Sequence, residues 1–347
     1  MKAANLYAPG DIRVEHVRNP EPGPGEVLIK VKACGICGSD ISRVMETGTY
    51  RFPTIPGHEF SGEVVGHGSD IAEMPKNLRV TVVPLIPCKS CKYCGMGDYH
   101  LCEHYSYLGS RTNGAFAEYV KAPLANLLSV PLNVDFELAA MTDPAAIALH
   151  AVRKLDVSPG DRVAIFGFGP IGAFALQWAK ILGAGETIAV DIGQEKLPIA
   201  EEFDADLYID AGSNDPVQVI TDYTNGSGVE KTIEIAGQPI TQEQCILVTA
   251  KGGSSVWVGI SHRSVTLGTK AVDDILRKEM KITGSWNSSF APLKNDWDMT
   301  VRFMAKGKIR AGNIISHRLP LEKIKEAFEL MRNRTQFFNK VMFFPEM

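Results

Sequence analysis

The sequence predicts an α/β protein of two domains, a mostly β domain carrying a metal-binding lobe followed by a doubly wound parallel-sheet domain. Three observations carry this expectation. Four of the seven cysteines crowd into "PCKSCKYCGMGDYHLC". A glycine-rich turn, "GFGPIG", sits between an apolar strand and a helix. The chain of 347 residues, with 45% apolar content, is also longer than one hydrophobic core usually grows.

Taken in order, residues 1–150 read as short β segments separated by Pro and Gly turns, among them "EVLIKVKACG", "FSGEVVGHG", "LRVTVVPLI" and "AFAEYVKAP". In residues 151–286, buried strand-like runs such as "RVAIFG", "TIAVDI", "LYID" and "KTIEIAG" alternate with helical patterns such as "IGAFALQWAKILG". Such alternation predicts parallel strands joined by crossover helices. Within this part "SVTLGT", Ser264 to Thr269, reads as an edge strand able to pair with a symmetry mate. Residues 287–347 turn helical, "WDMTVRFMAKGK" and "LEKIKEAFELMRNR", and end in "KVMFFP", a strand that returns most simply to the first domain.

The cysteine spacing is Cys88-x2-Cys91-x2-Cys94-x7-Cys102. Four thiolates on tight turns can close a tetrahedral shell around Zn2+, and such a site has no open position for substrate. Two disulfides are the bland reading, but cysteines two residues apart bridge poorly and nothing else in the chain looks secreted. An iron-sulfur cluster is a second rival, although the last gap matches neither ferredoxin pattern.

Gly167 to Gly172 match G-x-G-x-x-G, with Pro170 and Ile171 opening the following helix. The alternative is an ordinary tight turn. Strand, helix and an acid, Asp191, about twenty residues on together make a Rossmann-type dinucleotide site. Gly167 permits the turn, Gly169 lets backbone N–H groups approach a pyrophosphate, and Gly172 lets helix and strand pack closely. Asp191 would accept bonds from ribose hydroxyls and repel a 2′-phosphate, and no Arg follows it in "DIGQEKL", so NAD is favoured over NADP.

Upstream, "CGICGSD" and "GHEFSGEVV" offer Cys37 and His58, ligand types of a zinc that keeps one position open. Against this stand a redox C-x-x-C of Cys34 with Cys37 and a satisfied core histidine. A net charge of -4 and a pI near 6.1 remove the basic footprint of nucleic-acid binding. The N-terminus lacks a signal-peptide apolar region, and no apolar run of about 18 residues occurs. A soluble cytoplasmic protein, bound to neither membrane nor nucleic acid, is expected.

"GHEFSGEVVGHG", the cysteine lobe and "GFGPIG", in this order, resemble the zinc-dependent medium-chain dehydrogenase/reductase family over essentially the whole chain. "YLGSRTNGAFAEYV" and "ILRKEMKITGSWNSS" are similar to its polyol dehydrogenase branch. The resemblance implies a GroES-like catalytic domain at 1–150, completed by 287–347, and an NAD-binding domain at 151–286. It implies a reactive zinc on Cys37 and His58, with Glu59 as ligand or near ligand, and a second, structural zinc on the four-cysteine lobe. Asp143 stands where relatives usually carry Glu, one methylene shorter, reaching the metal directly or through water. Ser39 would relay the substrate proton, and Asp40 would steady the imidazole. Cys34 has no ligand role. Lys196, Val258, Ile260 and Lys340 fall on the cofactor side, and Arg111, Arg43 and Trp286 on the substrate side.

The implied reaction oxidises a secondary hydroxyl of a polyol or polyol phosphate, with zinc as Lewis acid and NAD as hydride acceptor, in a homodimer or homotetramer. The rival readings are dehydrogenation of sorbitol, xylitol, butanediol or threonine, a dinucleotide-binding protein without turnover, and a zinc-ribbon nucleic-acid binder. Arg111 either binds a substrate phosphate or pairs with a surface carboxylate or a loop carbonyl.

Overall fold

A computed structural model of the chain describes residues 1–75 and 77–347. Two compact units are present: Met1–Asp143 with Ser289–Ala311 and Ile315–Met347, and Pro144–Ser288 with Gly312–Ile314. The division falls inside the helix Thr142–Leu155, upstream of the boundary expected near 150. A continuous helix gives no turn signal at such a crossing.

The first unit is built on a sheet with strand order Ile315–Pro320, Lys340–Phe344, Glu26–Gly35, Glu59–His67, Arg79–Val82 and Leu127–Ser129, with Tyr119–Pro123 also paired to Glu26–Gly35. Alternation explains the central strand. Val27, Ile29, Val31 and Ala33 are fully buried while Lys30 and Lys32 reach outward, the period-two pattern of a sheet with one face on the core. The "KVMFFP" tail does return here, with Met342 opposite Gly35 and Phe343 opposite Cys34.

This unit also contains helices. Helix Ile324–Asn333 buries Ile324, Ala327, Phe328 and Met331, the i, i+3, i+4, i+7 stripe of an amphipathic helix. Phe116 meets Phe328 and Phe343 edge-on at 6.1 and 5.5 Å, so the late helix and strand share one core with the early sheet.

In the second unit six parallel strands run in the order Leu207–Asp210, Glu186–Asp191, Arg162–Phe166, Val229–Glu234, Thr249–Trp257, Lys281–Gly284. In chain order this is 3-2-1-4-5-6, the doubly wound arrangement that binds dinucleotides where the order reverses. Residues 264–268 form no strand. Gly268 caps the helix Thr269–Arg277 and donates its N–H to Glu243 Oε1 at 2.7 Å. The edge strand is instead Lys281–Gly284, exposed throughout. A brief alternation such as "SVTLGT" does not distinguish a strand from an extended lead-in to a helix. Among the described residues no helix is long and apolar enough to cross a membrane.

Candidate active site

The strand Glu26–Gly35 delivers Cys37 as the N-cap of the short helix Gly38–Ser42. Asp40, wholly buried in that helix, accepts the Cys37 N–H at 3.1 Å and the Arg43 guanidinium at 2.7 Å, and lies 3.4 Å from His58 Nδ1. Ser39 sits on the exposed side of the same turn. Gly57 sets the approach of His58: its φ is +93°, and a Cβ there would lie 2.7 Å from the Phe116 ring, so only glycine fits.

Cys37, His58 and Glu59 each offer a ligand atom, all within 4.8 Å of one another. Asp143 enters from the first turn of its helix with Oδ2 at 4.0 Å from His58 Nε2. Neither Asp143 oxygen has a hydrogen-bond partner although the residue is buried, and burial pushes its carboxyl up to about 7. An orphaned buried carboxyl is costly. A thiolate, an imidazole and carboxylates converging on one point are the donor set of a zinc with an open position. The residues therefore fit a catalytic zinc.

Two further side chains are anchored by buried carboxylates. Lys340, assigned to the cofactor side, has its ammonium on the Glu59 carboxylate and donates to the Ile36 carbonyl at 3.0 Å, with both side chains 3% exposed. Arg43, assigned to the substrate side, has its guanidinium on buried Asp40. The cause is common to both: a buried carboxylate requires a counter-charge. Cys34 is fully buried, and burial holds its thiol well above the ordinary value. Such a thiol is inert, which removes the redox C-x-x-C reading.

Tyr107 was not legible as a site residue. The pairing of Leu85–Ile86 with Ser106–Tyr107 brings its ring edge-on to His58 at 5.5 Å. Sequence distance hides such a contact.

The four lobe sulfurs also lie within 4.8 Å of one another, with Cys88 to Cys94 and Cys91 to Cys102 each at 4.0 Å. All are free thiols, far beyond the ~2 Å of a disulfide. Four Zn–S bonds of about 2.3 Å in a tetrahedron place sulfurs about 3.8 Å apart. The Ser90 hydroxyl, then backbone N–H groups of Ser90 and Cys91, pull the Cys88 thiol down to about 5. The lobe fits a structural zinc. Tyr99, within it, packs against Phe290 with ring centres 5.2 Å apart.

In the second unit the glycine loop follows the strand Arg162–Phe166. Gly167 has φ +100°, and a Cβ there would meet the Ala236 N at 2.6 Å, while one at Gly172 would fall 2.1 Å from the Gly167 carbonyl oxygen. Gly169 caps the helix Pro170–Ile181, with Pro170 in its first turn and Ile171 following, an N-terminus suited to phosphate. Asp191, closing the adjacent strand, accepts the Phe168 N–H at 2.6 Å and the Ile192 N–H at 2.7 Å, and pairs with Lys196 at 2.6 Å. Val258 and Ile260 follow the end of the strand Thr249–Trp257. Val258 donates its N–H to Glu234 at 2.8 Å, and Ile260 is exposed. Glycine loop, Asp191 and Val258 thus stand at the carboxyl ends of their strands, where such sheets bind ligands. Trp286 is half-exposed just past the edge strand.

Comparison with known proteins settles the family. The alcohol dehydrogenase GroES-like domain matches residues 23–132, and the zinc-binding dehydrogenase domain matches residues 170–306. The crystal structure of galactitol-1-phosphate dehydrogenase from Escherichia coli superposes with a TM-score of 0.93 at 31% identity, covering 99% of this chain and 100% of that one. The chain belongs to the zinc-dependent medium-chain dehydrogenase/reductase family. Other members are comparably similar. Sorbitol dehydrogenase of Bacillus subtilis is 31% identical over 99% of this chain and 97% of its own. A zinc-binding dehydrogenase of Sinorhizobium meliloti, solved with NADP, gives a TM-score of 0.91 at 32% identity over 99% of each chain. This medium-chain dehydrogenase is accordingly a zinc-dependent oxidoreductase of alcohols that uses a nicotinamide dinucleotide.

Proposed function

We propose that this dehydrogenase oxidises a secondary hydroxyl of a polyol phosphate to the ketone, passing hydride to NAD and releasing one proton. The observation that carries the phosphate is Arg111. Its guanidinium lies 4.2 Å over the Tyr50 ring and 4.6 Å over the Tyr105 ring, and donates to the Tyr50 hydroxyl at 3.3 Å. Its contacts are with neutral groups, in place of the surface carboxylate that was the alternative partner. A guanidinium stacked on rings keeps its planar fork of donors for phosphate oxygens.

Cys37 and His58, with Asp143 and Glu59, would hold the zinc, which as a Lewis acid lowers the pKa of the substrate hydroxyl. Asp40 beside Nδ1 orients the His58 ring. Lys340 neutralises Glu59, and Ser39 takes the hydroxyl proton toward solvent. The second unit receives the pyrophosphate on the glycine loop and the ribose on Asp191. The likeness to galactitol-1-phosphate dehydrogenase supports the substrate class. NADH production across free and phosphorylated polyols tests it. A strong preference for galactitol 1-phosphate over galactitol is expected, and equal kcat/KM for the pair would overturn the reading.

Asp191 is proposed to set the coenzyme preference, repelling a 2′-phosphate even with Lys196 on one of its oxygens. Asp191→Ala should raise KM for NAD about tenfold, because a hydrogen bond to a charged group contributes about 1.5–3 kcal/mol, and should leave NADP less affected. Equal use of both coenzymes by the unaltered enzyme would contradict this.

The enzyme is also proposed to self-associate through its second unit. The exposed edge Lys281–Gly284 and the exposed Val265, Val272 and Leu276 beside it in sequence form an edge and apolar surface of the kind proteins cover. Light scattering at micromolar concentration should give a dimer or tetramer. A monomer would refute it.

A further inference from the structure

We propose that Arg51 joins Arg111 in a two-guanidinium cradle for the substrate's phosphate, with Tyr50 and Tyr105 as positioning residues that hold Arg111. The inference rests on the polyol phosphate reading and names the residues that would enforce it.

Two loops are tied to each other reciprocally. Arg111 of the later loop donates to the Tyr50 hydroxyl of the earlier one at 3.3 Å, and Arg51, next to Tyr50, donates back to Asn113 Oδ1 at 3.2 Å. The same Asn113 oxygen accepts the Ile55 N–H at 3.3 Å, which fixes the crossing. These bonds fasten the loop that carries Arg51 to the loop that carries Arg111, on the surface of the first unit.

The partners of these two cations carry no negative charge, whereas several other arginines are ion-paired. Arg13, Arg162, Arg277 and Arg318 each meet a carboxylate, on Asp11, Glu230, Asp273 and Glu137 respectively. Arg51 and Arg111 instead meet an amide, a phenol and aromatic faces, none of which cancels charge. A guanidinium with no carboxylate on it keeps its full charge for an incoming anion. A phosphate monoester, carrying about -1.5 to -2 at pH 7, is the complement in both charge and bidentate geometry.

The cradle is also braced against the metal cluster. Tyr105 meets Tyr107 edge-on at 6.3 Å, and Tyr107 meets His58 at 5.5 Å. Gly109, two residues before Arg111, packs so closely on the backbone of Gly57 that a Cβ would lie 2.7 Å from its carbonyl oxygen. Gly57 directly precedes His58. Phosphate and reacting hydroxyl would therefore be held at a set separation, so that binding energy from the phosphate end serves to place the reacting carbon.

The test uses the zinc-loaded enzyme as Arg51→Gln, Arg111→Gln and the double variant, measured on galactitol 1-phosphate and on galactitol. The readout is the ratio of the two kcat/KM values. Each single change should lower that ratio about tenfold or more, the loss expected for a charge-assisted hydrogen bond, and the double change should lower it further. Arg111→Lys should not restore it, because a point charge lacks the fork. An unchanged ratio, whether or not both activities fall, would overturn the cradle while leaving the polyol phosphate reading in place. If the unaltered enzyme itself shows no preference, that reading fails, and titration calorimetry with inorganic phosphate decides the cradle. Phosphate binding that the double variant abolishes would keep it as a site for free phosphate, and absence of binding would end it.

Discussion

Cys37→Ser is expected to abolish turnover, by at least ~10^3-fold in kcat/KM, because the Lewis acid it helps to hold supplies several kcal/mol of transition-state stabilisation. A serine hydroxyl is a poor replacement for thiolate on zinc, and bound metal should fall from two ions per chain to one. The fold should persist. Cys37 and Asp40 cap the helix reciprocally, the Asp40 carboxylate accepting the Cys37 N–H at 3.1 Å, and a serine hydroxyl at 37 is itself a favoured N-cap. Circular dichroism and thermal unfolding should therefore match the unaltered enzyme while NADH production is lost. Retained turnover in the variant, or one zinc per chain in the fully active parent, would show that the assignment is wrong.

Cys91→Ser should act in the opposite sense. Here four sulfurs would fill the whole shell, so a zinc held by them would do no chemistry and would contribute folding energy. Structural zinc binds zinc-finger peptides with about 10–16 kcal/mol at pH 7, and loss of one ligand forfeits much of such a term. The lobe has little regular structure of its own. Between Pro87 and Cys102 the regular structure is one turn of helix, Lys92–Gly95, and a short 3-10 turn, Tyr99–Leu101. A lowered Tm, early proteolytic nicking inside this segment and poorer solubility are expected, with residual activity in whatever stays folded. A variant as stable and as protease-resistant as its parent would remove the structural role.

Much of this architecture was legible from the chain alone, for a definable reason. The glycine loop and the cysteine lobe are local devices, whose residues act on neighbours a few positions away, so spacing alone reports them. Strand alternation likewise reports burial directly. What escaped reading depends on partners far along the chain. Lys340 meets buried Glu59 from near the other end of the sequence, a pairing that spacing does not report. The contact of Tyr107 with His58 arises from a two-residue strand pairing too short to leave a pattern. The edge-strand reading of Ser264–Thr269 failed because Gly268, within it, serves as a helix N-cap, and hydrophobic period alone does not weigh capping.

The pairing of Lys340 with Glu59 also has a temporal side. Domains fold during synthesis largely from the N-terminus, yet the carboxylate beside the metal ligands finds its counter-charge on the strand Lys340–Phe344, which slots against Glu26–Gly35. The second unit is nearly continuous in sequence, Pro144–Ser288, and has almost everything it needs in hand well before that. Completion of the folded units therefore runs opposite to chain order: the nucleotide unit can mature first, and the unit begun earlier closes last. Until the strand Lys340–Phe344 docks, the Glu59 carboxylate beside the candidate metal ligands is left without its buried counter-charge.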